Sequence, residues 1–157
     1  MSVRRLGVAL ALALAAGPAL AGTAQPGPVF HPRGDDRPFS ESVQAGPVLY
    51  LSGQIGEAAD GSGVVPGGLE PETRRIMERM GAALKARGLG YGDLFKCTVM
   101  LADMREWPRF NAIYAEYFKP GRYPARSAMG VNGLALGARV ELECMAWAGG
   151  RHKRGRR

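Results

Sequence analysis

Arg126 stands in a short, largely apolar run, Tyr123-Pro124-Ala125-Arg126-Ser127-Ala128-Met129-Gly130-Val131, which reads as a turn entering a strand. A permanently charged guanidinium in such a run costs several kcal/mol to desolvate unless an anion meets it. Its planar fork grips a carboxylate through two parallel hydrogen bonds. That makes it a candidate binder of a small carboxylate, set against the plainer role of a structural ion pair or a side chain reaching solvent. The other polar candidates near apolar strands are Ser52, Glu141 and Glu143, together with Asn111 on a helix. Ser52 has no base to activate it and is better placed as a hydrogen-bond donor than as a nucleophile. Glu141 or Glu143 can act as a general base toward water, or be merely solvated or paired with Arg126.

Absences narrow the chemistry further. The two histidines are His31 and His152, one in a Pro/Gly-rich lead-in and one in a basic tail. This argues against a Ser-His-Asp or Cys-His site and against a His-rich metal site. The glycines form neither a phosphate-binding loop nor a dinucleotide fingerprint, since Gly61-Ser62-Gly63 has no strand before it and no helix start after it.

The elements that must position these residues follow from periodicity. Ser42 to Ala45 and Val48 to Ser52 flank Gly46-Pro47 as a hairpin, with Gly53 ending the second strand. A helix is expected from about 70 to 87, with Pro71 and Glu72 in its first turn. Ile76, Met80, Ala83 and Leu84 form its stripe, and Gly88 its C-terminal stop. A second helix is expected from about 106 to 118, its apolar face made by Trp107, Phe110, Tyr114, Tyr117 and Phe118. Asn111 falls on that face, where its amide needs a partner or costs of order 1–3 kcal/mol. It is either a fold-locking side chain or part of a polar pocket. In the last strand Val140, Leu142, Cys144 and Ala146 alternate with Glu141, Glu143, Met145 and Trp147. The second face mixes acids with Met145 and Trp147, too apolar for water, and points to a subunit interface.

The ends read as separate pieces. Residues 1–21 have the order of a cleavable signal peptide: Arg4-Arg5, an Ala/Leu-rich run, then Ala19-Leu20-Ala21. The apolar run is shorter than the roughly 20 residues that a bilayer needs. Cleavage after Ala21 and export to the periplasm or outside the cell are expected. Residues 22–37 form a loose lead-in, 38–148 the domain, and 149–157 a basic tail. The chain has 21 Lys+Arg against 14 Asp+Glu, a net charge of +7. Two of those cations lie in the signal and five in the tail, and neither piece holds an acid, so the segment between is neutral. The basic balance therefore gives no nucleic-acid face to the domain. Cys97 and Cys144 sit in strand-like runs, where buried thiols are the default. A bridge would require their strands to bring the Cα atoms within about 7 Å.

Pro38-Phe39-Ser40, Ser52-Gly53-Gln54-Ile55, Phe110-Asn111-Ala112-Ile113-Tyr114-Ala115-Glu116-Tyr117-Phe118, Pro124-Ala125-Arg126-Ser127 and Val140-Glu141-Leu142-Glu143 occur in the order and spacing of one family. In these motifs the chain resembles the RidA/YjgF reactive-intermediate deaminases, over roughly 38–148. The resemblance implies an α+β, chorismate-mutase-like fold, a mixed sheet with two helices on one face. It also implies a homotrimer with sites in the clefts between subunits. The implied activity is hydrolysis of 2-imino acids to 2-keto acids and ammonium, without metal or cofactor. By position, Arg126 matches the arginine that binds the substrate carboxylate, and Glu141 the acid that orients or activates water. Ser52, Gly53 and Asn111 match pocket residues, and the backbone of Ala128 matches a ligand contact. Phe39 stands where the family often has Tyr, so a hydroxyl is missing there. The alternative is a periplasmic trimer that binds small keto acids through Arg126 without turnover.

Overall fold

The computed structural model describes residues 27–149. The expected signal peptide and nearly all of the basic tail lie outside the described residues. Six strands form one sheet: β1 (Val29–His31), β2 (Ser42–Ala45), β3 (Val48–Ile55), β4 (Leu94–Leu101), β5 (Ala125–Gly130) and β6 (Val140–Trp147). Their spatial order is β1-β2-β3-β6-β4-β5. Among the described residues only β4 and β5 pair in parallel, as the crossover through α2 (Trp107–Ala115) between them requires. Helix α1 (Leu69–Ala86) makes the longer connection from β3 to β4.

Helix α1 ends as its sequence predicts. Gly88 takes a positive φ of 69°, its N–H reaches Lys85 O, and the N–H of Leu89 reaches Leu84 O. This is a Schellman stop, and glycine enters that conformation without strain. Ile76, Met80, Ala83 and Leu84 are buried. They meet Leu49, Leu51, Val99, Leu142 and the α2 residues Phe110 and Tyr114 in one core on the helix side of the sheet. The alternation of β6 is the expected one: Val140, Leu142, Cys144 and Ala146 are buried, while Glu141, Glu143, Met145 and Trp147 face away.

Four expectations are corrected. The lead-in is not loose throughout, because Val29–His31 pairs antiparallel with Ser42–Gln44. Gly53 does not end β3: the strand continues to Ile55 through a register shift between Leu51 and Gln54. The second α-helix is shorter than expected, being preceded by a 3-10 turn at Met104–Glu106 and followed by single turns through Phe118. Cys97 and Cys144 are not free thiols. They face each other across β4 and β6, with Cα atoms 4.1 Å apart, and form a disulfide. The strand runs alone could not reveal this, because it depends on β6 inserting beside β4 in that register.

Candidate functional site

Register fixes where the candidate residues point. Arg126 lies opposite Cys97, and Cys97 lies opposite Cys144, so all three stand on the helix side of the sheet. There the Arg126 guanidinium sits over the rings of Trp107 at 4.5 Å, Tyr114 at 4.7 Å and Phe110 at 5.6 Å. Cation–π attraction offsets part of the cost of taking it from water. Its Nη2 donates to Asn111 Oδ1. The amide on the apolar face of α2 is therefore hydrogen-bonded, and its partner is the arginine itself.

Arg126 and Asn111 line a cavity of about 350 Å³ with Tyr114, Tyr123 and Pro124. Among the described residues no carboxylate pairs with Arg126. Burial pushes its pKa down from the ordinary arginine value, which is the mark of a cation short of counter-charge. Burial also holds the Tyr114 phenol up, at about 12, and its hydroxyl makes no hydrogen bond among the described residues. Tyr114 and Tyr123 were missed as lining residues by sequence reasoning. Tyr114 lies three residues beyond Asn111 on the same helical face, a spacing that could have identified it.

Glu141 is on the other side. It lies three residues before Cys144 in β6, an odd step that turns its side chain to the open face. It is half-buried, and its pKa is raised, first by burial and then by the nearby Glu143 carboxylate. A carboxyl in that state is suited to proton transfer. The register shift in β3 falls at Ser52-Gly53, and irregularities of this kind re-aim backbone and side chains at functional sites. Gly53 meets Glu141 so closely that an added Cβ would overlap Glu141 Oε1. Glycine is needed there because the carboxylate occupies the space of a side chain.

Gly53, Glu141 and Phe39 line a second cavity of about 480 Å³. The Ser52 hydroxyl donates to Ser40 O at 2.7 Å, tying the segment that carries Phe39 to β3. Ala128 lies on β5 opposite Val99 and is half-buried. Within one chain the predicted residues thus fall into two groups. Arg126 and Asn111 line one cavity, Phe39, Gly53 and Glu141 the other, and no residue lines both. The second cavity also holds a cluster that the sequence did not flag: Arg33, Arg37 and Arg79 around Glu57.

Comparison with known proteins places this architecture. The Endoribonuclease L-PSP family matches residues 34–148. A 2-iminobutanoate/2-iminopropanoate deaminase from Mus musculus is 40% identical over 112 residues, covering 71% of this chain and 82% of the relative. The Homo sapiens protein of the same name is 38% identical over 112 residues, covering 71% and 81%. A Rid-family protein from Yersinia pestis superposes with a TM-score of 0.68 at 32% identity, covering 75% of this chain and 93% of the other. A Thermotoga maritima protein described as a putative endoribonuclease gives 0.67 at 32% identity, covering 75% and 91%. The chain belongs to the Endoribonuclease L-PSP family, the RidA/YjgF proteins.

Proposed function

We propose that the protein hydrolyses reactive 2-imino acids to 2-keto acids and ammonium, at sites formed between copies of the chain. The observation that carries this reading is Arg126: a half-buried guanidinium, walled by aromatic rings, oriented by Asn111 and without an acid of its own among the described residues. Such a fork fits the carboxylate at C1 of an imino acid. The names of the deaminase relatives support the reaction.

Arg126 and Glu141 face opposite sides of one sheet, so one chain cannot bring both to one small substrate. A neighbouring copy can. The homotrimer is proposed on this ground, and on the exposure of Tyr50 and Trp147 along the open face. In the joint site Arg126 of one copy holds the carboxylate. Glu141 of the next takes a proton from water as the water oxygen bonds to C2. The proton then goes to the nitrogen, the C–N bond breaks as the C2 hydroxyl gives up its proton to become the keto oxygen, and the departing ammonia takes that proton and leaves as ammonium. The protonated imine is already electrophilic, so positioning and modest acid–base help suffice. Ser52 and Gly53 shape the Glu141 side, and the backbone of Ala128 the Arg126 side.

The test generates 2-iminopropanoate or 2-iminobutanoate in place and follows its disappearance with wild type, Arg126→Ala and Glu141→Gln. The reading requires acceleration by wild type and its loss in both variants. Decay equal to buffer with wild-type protein would refute it. Keto-acid binding by Arg126 without turnover is the second reading, favoured by the missing hydroxyl at Phe39. Thermal stabilisation by pyruvate alongside a flat imine assay would establish it.

Export is proposed as well. Its support is the N-terminal charge and hydropathy pattern together with the Cys97–Cys144 bridge, since disulfides persist in oxidising compartments. N-terminal sequencing of protein recovered from cell fractions tests the cut after Ala21.

A further inference from the structure

The cavity beside Glu141 carries cations that small aliphatic imino acids leave unused. Glu57 is only 5% exposed. Arg79 Nη1 lies 2.8 Å and Arg37 Nη1 3.0 Å from its Oε2, and Arg33 Nη2 lies 3.7 Å from the same oxygen. The Arg37 guanidinium, with help from Arg79, holds the Glu57 pKa down at about 2, so this acid stays ionised. Asp35 takes Arg33 at 3.2 Å and Arg37 at 3.6 Å. Three permanent cations therefore share two carboxylates within the cluster, and Glu141 is the further acid that lines the same cavity.

Fastening residues 33–37 to the body of the fold would need only one of these pairs. The arrangement goes further. The Arg33 side chain is largely covered and stacks on Phe39, its guanidinium carbon 4.8 Å from the ring centroid. All three arginines line the cavity that also holds Glu141. Ile55 and Leu136 give it apolar wall. Leu136 does so from a left-handed conformation, φ 56° and ψ 22°, which costs a non-glycine residue about 1–2 kcal/mol. Strain of this kind gathers at ligand-binding positions.

We infer that the substrates are 2-imino dicarboxylates, the imines of acidic amino acids. The inference rests on the deaminase reading and names the substrate class of that same site. The C1 carboxylate goes to Arg126 of the neighbouring copy and C2 to Glu141. The methylenes lie against Ile55 and Leu136, and the distal carboxylate goes to Arg37, Arg79 and Arg33. The hydrolysis is unchanged: the water oxygen bonds to C2, the C–N bond breaks, and a 2-oxo dicarboxylate and ammonium result.

Binding of the keto-acid products tests this separately from turnover. The full chain is titrated with 2-oxoglutarate, 2-oxobutanoate and inorganic phosphate at matched ionic strength. Wild type is expected to bind 2-oxoglutarate about tenfold more tightly than 2-oxobutanoate, as one further charged hydrogen-bonded contact provides. Arg79→Gln is expected to bring that ratio toward one. Arg37→Gln, at a more exposed side chain with Arg79 still holding Glu57, tests the same ratio if the first variant folds poorly. Equal or tighter binding of 2-oxobutanoate by wild type overturns the inference, and so does phosphate binding as tightly as 2-oxoglutarate.

Turnover of 2-iminoglutarate and 2-iminobutanoate separates the two levels. If neither imine is hydrolysed faster than in buffer while the keto-acid preference holds, the deaminase reading falls and the dicarboxylate site stands. If both are hydrolysed and 2-iminobutanoate has the higher kcat/KM, the deaminase stands and the dicarboxylate site falls.

Discussion

Arg126 and Glu141 occupy opposite faces of one sheet, held apart by a single strand: β4 pairs Cys97 with Arg126 and Met100 with Glu141. No side-chain rotation brings the two to one side, so a site using both must take them from different chains. Mixing two inactive variants tests this. Arg126→Ala and Glu141→Gln, each silent alone, are unfolded together, refolded at equal ratio and assayed for imine decay. Random assembly leaves about a quarter of the clefts with both groups intact, so about a quarter of wild-type activity returns. A mixture as silent as its parts would place both groups within one chain's site, against the geometry.

Gly53 sits where Glu141 needs room. Gly53→Ala puts a methyl onto Glu141 Oε1 and must turn the carboxylate away or lift β3 at its register shift. The expected result is a fall in kcat of about 10²-fold, the lower range for a general base lost from position. Binding of keto acids through Arg126 should change far less. An equal loss in both would mean that the strand, rather than the carboxylate, had been disturbed.

The Cys97–Cys144 bridge closes a segment with a sequence separation of 47. That segment holds α2 and all of β5, and with them Arg126. In the chain-entropy picture a loop of this length adds about 4 kcal/mol. Cys97→Ala/Cys144→Ala is expected to lose stability on that scale in urea titration. Reductant should lower the wild-type melting temperature and leave the double variant where it was.

Legibility in the sequence followed how local each signal was. The α1 stripe and its Gly88 stop, the alternation of β6 and the Gly46-Pro47 hairpin are written within a few residues, and each appears in the structure as read. Arg126 and Asn111 were singled out by type and position, but their hydrogen bond depends on α2 packing over β5. The features that escaped all depend on distant pairing. The disulfide needs β6 beside β4, β1 needs the hairpin to pair with, and the Glu57 cluster gathers Arg33, Arg37 and Arg79 from a loop and a helix. The split of the site was equally hidden, because it turns on the parity of register between strands far apart in the chain.

On the proposed mechanism Glu141 sets the acid side of the activity profile. Its pKa lies above the ordinary carboxyl value because burial and Glu143 both oppose ionisation. As the acceptor of water's proton it must be ionised, so kcat/KM should rise with pH through that raised pKa and then level off. Glu143→Gln removes the like charge, and should move the rise to lower pH while leaving the plateau in place. A profile indifferent to Glu143→Gln would mean that another group controls the titration.

Glu57 and Glu72 pull stability in opposite directions with pH. Arg37, with help from Arg79, holds the Glu57 pKa at about 2, below its ordinary 4.5, so the folded protein binds this proton less readily than the unfolded chain. Its contribution is full above about pH 4.5 and is lost as pH falls toward 2. Glu72 is buried beneath the loop before β6 and accepts from Arg139 N at 2.8 Å, and burial raises its pKa despite that bond. Its contribution is full below its unfolded pKa and is lost as pH rises through the raised one. Unfolding measured from pH 3 to 8 should separate them. Glu57→Gln removes part of the acid-side dependence, and lowers stability at neutral pH by about 3 kcal/mol because it takes from the largely buried Arg79 the carboxylate it pairs with. Glu72→Gln keeps an oxygen for the Arg139 N–H, and should flatten the fall above pH 4.5. Steepening in either variant would reverse the assignment of sign.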